Sequence, residues 1–176
     1  MEGVFATEYA NHLSKASWGA YHEDGIGMCE LAAGDVISAL EKEFTIILAT
    51  CAGNRVTIRP MSHINVGLTV YFQTGAHYLK TRQIRANPNV AMHVGNYEIE
   101  GTAEIIGHPM DAANQFFIER YRAKHPSYAE RWSALPSQAL VRVEIGLARQ
   151  WRYIDGKPVI AIGHFKSIEG GHHNDR

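Results

Sequence analysis

From Thr45 to Ile154 the chain consists largely of short stretches in which apolar and polar residues alternate, each closed by turn-forming residues; this period-two patterning restricts its fold most. TIILATC is rich in β-branched residues, AGNR supplies turn chemistry, and VTIRP resumes with Val56 and Ile58 alternating with Thr57 and Arg59, which predicts two strands joined by a hairpin. LTVYFQT, residues 68–74, reads as a third strand closed by Gly75. VAMHV and YEIEGTAEIIG form a second hairpin about Gly95-Asn96, and the alternation of Tyr97 and Ile99 with Glu98 and Glu100 predicts one solvated face. ALVRVEIGLARQWRYI, residues 139–154, closes the domain as a long strand, and Asp155-Gly156 begins a last turn.

Helical spacing occurs only between these strands. In DVISALEKEF, Val36, Ile37, Leu40 and Phe44 recur on one face behind Asp35, a candidate N-cap. In HYLKTRQIRANP, Leu79, Gln83 and Ile84 share one face, Lys80, Arg82 and Arg85 crowd the other, and Asn87-Pro88 ends the run. Asp111 can cap a helix over residues 111–124 with an apolar stripe of Ala112, Phe116 and Tyr121, and Pro126 stands just beyond. Five or six strands with helices inserted between them argue against a doubly wound parallel sheet. They predict a mainly β fold with peripheral helices, an antiparallel barrel. Residues 1–34 lack sustained periodicity and read as an irregular N-terminal extension with a short helix over Glu8–Ala16; residues 35–176 read as a single domain.

With 176 residues, 45% hydrophobic and 20% charged, the chain can bury a core without staples. Its net charge of −1 gives no field that would draw it onto nucleic acid or an anionic membrane, and its apolar runs are too short to span a bilayer. Glu2 and Glu8 stand where a signal peptide needs basic residues, so a cytosolic protein is expected. Cys29 and Cys51 carry no metal-type spacing and read as reduced, and the ten histidines show no helical i, i+4 pair, so no metal site is expected.

The residues that carry chemistry are Arg59 in a strand, Gln73 and Thr74 at a strand end, and Lys80 with Thr81 at a helix start. A phosphate is held by such a set: the helix start offers free N–H groups and a positive dipole end, and cations add charge-assisted hydrogen bonds. By pattern alone the same cations also fit a solvated helix face. His63 and His77 flank the set, and no Ser or Cys sits in a nucleophile elbow, so no catalytic side chain is assigned.

The run from ILATC to VAMHV resembles the FMN-binding split-barrel family that includes pyridoxamine 5′-phosphate oxidase. The shared order is an apolar strand (LAT), a turn (AGN), Arg59-Pro60, an aromatic strand ending in Thr (YFQT), Lys80, Asn87-Pro88 and a further strand (VAMHV). The resemblance implies a split barrel, FMN as cofactor and a homodimer with the flavin between subunits. It also implies that Arg59, Pro60, Gln73, Thr74, Lys80 and Thr81 lie at the cofactor, Arg59 and Lys80 holding its phosphate. Trp151 is a candidate to complete the site from the second subunit, or else a core residue. FFIER, ending in Arg120, echoes the oxidase's substrate-phosphate helix and equally fits an amphipathic helix with Arg120 exposed. The closing EGGHHNDR does not reproduce the oxidase's substrate-reading Arg-Leu-His-Asp-Arg type of segment, so no substrate is implied. The implied activity is an FMN-dependent oxidoreductase acting on a small molecule. The rivals are a haem- or flavin-binding sensor or store, a deazaflavin-dependent reductase, and an interaction module without cofactor.

Overall fold

The computed structural model describes residues 26–165; the helix expected over Glu8–Ala16 lies outside them. Both expected hairpins form, and their turns set what faces where. Strands β2 (Thr45–Ala52) and β3 (Arg55–Ser62) are joined through Gly53 and Asn54, both at positive φ (54° and 60°), which suits a two-residue turn matched to strand twist. That turn places Thr50 opposite Thr57 and Leu48 opposite Arg59. These four residues therefore share the inner face, while Ala49, Val56 and Ile58 share the outer one.

Strands β6 (Asn89–Val94) and β7 (Tyr97–Ile105) form the second hairpin, and β4 (Ile64–Val66) with β5 (Thr69–Gly75) forms a third. The spine of the sheet is β8 (Gln138–Ile154). One of its edges pairs with β7; the other pairs first with β5, over residues 138–144, and then with β9 (Lys157–His164), over residues 147–154. With β1 at Gly27–Glu30, the order is β1-β9-β8-β7-β6-β2-β3, with β5 branching from β8 and β4 lying on β5. The result is an open, mainly antiparallel sheet wrapped around one core, a split barrel.

Among the described residues nine strands are present where five or six were expected. The extra ones, β1 (Gly27–Glu30), β4 and β9, are either three or four residues long, too short to show alternation, or, like β9, begin past the Asp155-Gly156 turn. β1 lies within the stretch read as an irregular extension and pairs in parallel with β9, so the sheet is mixed.

Among the described residues four α-helices lie outside the sheet: α1 (Ala33–Lys42), α2 (Leu79–Ala86), α3 (Gln115–Lys124) and α4 (Pro126–Trp132). Two expected caps fail. Asp35 lies inside the first turn of α1, with Ala32 as N-cap, and its carboxylate instead pairs with Arg152 at 3.0 Å. Asp111 precedes a short 3₁₀ turn and accepts from the main-chain N–H of His108 at 2.8 Å, stabilising the loop behind it. Pro126 does not merely follow α3; it opens α4, where its missing N–H costs nothing. The core joins Val36 and Leu40 of α1 to Leu48, Phe72, Ile99 and Val143 of the sheet, all fully buried. A smaller cluster of Ile64, Phe117, Ile118, Tyr121 and Leu140 lies under α3.

One irregularity matters for the surface. The β7–β8 register shifts between Glu100 and Gly101, so that Gly101 faces Ile145, Glu100 faces Leu147, and Gly146 is the extra residue of a bulge. A Cβ at Gly101 would come within 2.5 Å of the Glu144 carbonyl oxygen, so the strands meet here only because that side chain is absent. Before the bulge Val141, Val143 and Ile145 point into the core; after it Ala148 does.

Candidate functional site

The inner face of the β2–β3 hairpin meets α2 at a polar cluster. Arg59 Nη1 donates to the Leu48 carbonyl at 3.2 Å and to Thr50 Oγ1 at 2.8 Å, and its Nη2 donates to Thr57 Oγ1. Both threonine hydroxyls donate onward to Gln83 Oε1, at 2.7 and 2.8 Å, and Gln83 Nε2 donates to the Arg55 carbonyl at 2.7 Å. The guanidinium is thus gripped along its Nη1–Nη2 end, while no described residue bonds its Nε.

Lys80 enters from the start of α2. Its Nζ donates to Thr74 Oγ1 at 3.1 Å and sits 4.8 Å from the centroid of the Tyr78 ring. That ring packs across Gly75, where a Cβ would stand 3.0 Å from it. α2 is tied to the end of β5 by Thr81, whose hydroxyl donates to the Gly75 carbonyl at 2.8 Å. The N–H groups of Leu79, Lys80 and Thr81 have no acceptor within the helix, because Arg82 is the first to donate back, to Tyr78.

Burial lowers the Lys80 pKa from its ordinary value, and the nearby Arg59 guanidinium lowers it further; burial also lowers that of Arg59. Neither cation forms an ion pair with a described carboxylate. Cations taken partly out of water are ordinarily paired, so two that repel one another beside the open end of a helix make a receptor for an anion.

The expected site residues do not all meet. Arg59, Thr74 and Lys80 converge. Thr81 is fully buried with its hydroxyl committed, leaving its main-chain N–H as what it can offer. Gln73 alternates with Thr74 and so faces the other way, toward α3, where its side chain and Ser62 hydrogen-bond the Tyr121 hydroxyl; its Oε1 has no partner. Pro60 lies on the outer face of β3 opposite Ile47. Trp151 is 45% exposed on β8, several strands from Arg59, and is not a core residue. His77 is exposed in the turn before α2, whereas His63 is fully buried against the Leu40 carbonyl and does not flank the cations. Arg120 is exposed on α3.

A family model described as pyridoxamine 5′-phosphate oxidase matches residues 35–152, about two thirds of the chain. The chain belongs to the pyridoxamine 5′-phosphate oxidase family. The match takes in β2, β3, β5 and α2, the elements that carry Arg59, Thr74 and Lys80. No curated protein matches the chain in sequence. Among solved structures it resembles general stress protein 26 of Bacillus anthracis (19% identity, TM-score 0.55, covering 72% of this chain and 95% of that one). It also resembles an FAD-binding protein of Mesorhizobium loti (16%, 0.55, 67% and 92%) and a haem-storage protein of Vibrio cholerae (12%, 0.56, 64% and 88%). At these identities the likeness establishes the split-barrel fold alone.

The sequence does not single out Thr50 and Thr57, and it gives Gln83 only as part of the helix face beside Lys80. The signal for the two threonines was the Gly53-Asn54 turn, whose two-residue length fixes Thr50 opposite Thr57 and puts both beside Arg59.

Proposed function

We propose that this chain binds FMN, with the phosphate held between Arg59 and Lys80, and serves as an FMN-dependent oxidoreductase acting as a homodimer on a small molecule. The observation that carries the reading is a pair of part-buried cations, with the Lys80 pKa lowered by burial and by Arg59, that have no described carboxylate partner. A phosphate dianion supplies the missing charge, and the free N–H groups of α2 complete the cradle. When bound, FMN supplies hydride or electron transfer. The chain's share is to fix the phosphate, with Thr74 steadying the Lys80 ammonium through its hydroxyl.

The homodimer reading draws on the outer face of β2 and β3, where Ile58 and Val56 are 69% and 64% exposed beside Ile47. Trp151 lies on the outer side of β8, where a second subunit could bring it to a flavin. A cytosolic location belongs to the same proposal, in keeping with two free cysteines, Cys29 and Cys51.

The test is to purify the protein, release any bound cofactor by denaturation and identify it by mass, then repeat with Arg59→Ala combined with Lys80→Ala. Losing two charge-assisted contacts to one phosphate should cost about 2–4 kcal/mol of FMN affinity, a weakening of roughly 30- to 1,000-fold. Release of haem or deazaflavin, or an unchanged FMN affinity in the double variant, would refute the proposal.

A further inference from the structure

The Arg59 guanidinium does not reach its position through strand geometry alone. A guanidinium offers five N–H groups on a planar fork, and which edge faces a ligand decides whether an oxyanion can be held by two parallel bonds. Here the Nη1–Nη2 end is occupied by two hydroxyl oxygens and a carbonyl, which leaves the Nε–Nη2 edge without a bond from Nε to any described residue. That arrangement requires both hydroxyls to accept from Arg59, so each must send its own proton elsewhere. Both protons go to one atom, Gln83 Oε1. The amide cannot flip without losing its bond from Nε2 to the Arg55 carbonyl, so the acceptor is locked in place. Gln83 and Thr50 are each 2% exposed and Thr57 is half-buried, so the acceptor at the centre of the unit is shielded from water.

We infer that Gln83 is a positioning residue for phosphate recognition: by taking the protons of Thr50 and Thr57 it orients Arg59 so that its free edge meets the cofactor's phosphate. This rests on the phosphate reading of Arg59 and Lys80, and it assigns the site's preference for phosphorylated over unphosphorylated flavin to a residue that touches neither. Gln83→Met keeps length and bulk but removes the acceptor, while Thr57→Val removes one hydroxyl and leaves Gln83 in place. The experiment measures the affinities of full-length wild type and both variants for FMN and for riboflavin, which lacks the phosphate, by flavin fluorescence.

In Gln83→Met the preference for FMN over riboflavin falls by about tenfold or more, in Thr57→Val by a few-fold, with riboflavin affinity itself nearly constant. If FMN and riboflavin weaken by the same factor, or neither changes, Gln83 is a structural residue and the inference is overturned. Should Gln83→Met fail to fold, Thr57→Val decides by the same ratio. A wild type that binds riboflavin as tightly as FMN, together with an inert Arg59→Ala, would sink the phosphate reading itself. A wild type with a clear FMN preference and an unchanged ratio in both variants would sink only the role of Gln83.

Discussion

Acid should destabilise this protein through His63, by an amount that follows from the burial of one ring. His63 is fully buried; its Nε2 lies 2.9 Å from the Leu40 carbonyl oxygen and its Nδ1 has no partner. Burial, helped by repulsion from Lys124 and His125, lowers the imidazole pKa from 6.5 to about 4, against partial support from the Leu40 carbonyl. The unfolded chain therefore takes up a proton near pH 6.5 and the folded chain only near pH 4. Between these values the unfolded state binds more protons, so stability present at neutral pH is lost as pH falls, and the loss levels off below about pH 4. From pH 7 to pH 5 this single group should cost about 2 kcal/mol, a sizeable part of a typical domain's 5–15. The assay is urea unfolding of wild type and His63→Gln at both pH values. The glutamine amide can still donate to Leu40 but has no proton to gain, so the stability difference between the two proteins should move by about 2 kcal/mol in the variant's favour at pH 5. A difference that stays constant across the range would refute the reasoning.

Gly101→Ala should cost about 2–3 kcal/mol, because its methyl must displace the Glu144 main chain; calorimetry should show a drop of several degrees in Tm, and an unchanged Tm would mean that the strands part freely there. Ile58→Asp puts a charge in the middle of the exposed apolar face of β3, and sedimentation should show a dimeric wild type becoming a monomer with its fold intact by circular dichroism.

The strands read from sequence are those whose alternation runs for six residues or more and ends at a recognisable turn, as in β2, β3, β6, β7 and β8. β1 and β4, four and three residues long, span no more than two repeats of the pattern, and only tertiary pairing reveals them. At the site, the approach of Lys80 to Arg59 was readable because each stands at a sequence landmark, Arg59 before a proline and Lys80 at a helix start. Gln83 was read only as part of a helix face, since nothing in the local pattern says that this face lands on two threonines of a distant hairpin. Gln73 was misdirected by its neighbour: adjacent positions in a strand face opposite ways, so Thr74 at the cations puts Gln73 under α3.

The bulge at Gly146 acts as a parity switch. Were β8 to pair regularly through Gly146, the in-out count begun at Val141 would run unbroken, and positions 149 and 151 would be aimed at the barrel interior. That pairing would ask the fold to bury a guanidinium and an indole where Ala148 now sits, or else to slide the whole terminal half of the strand along β9; the bulge keeps both side chains outside. The chemical character of one side of this molecule is thus decided by a residue with no side chain.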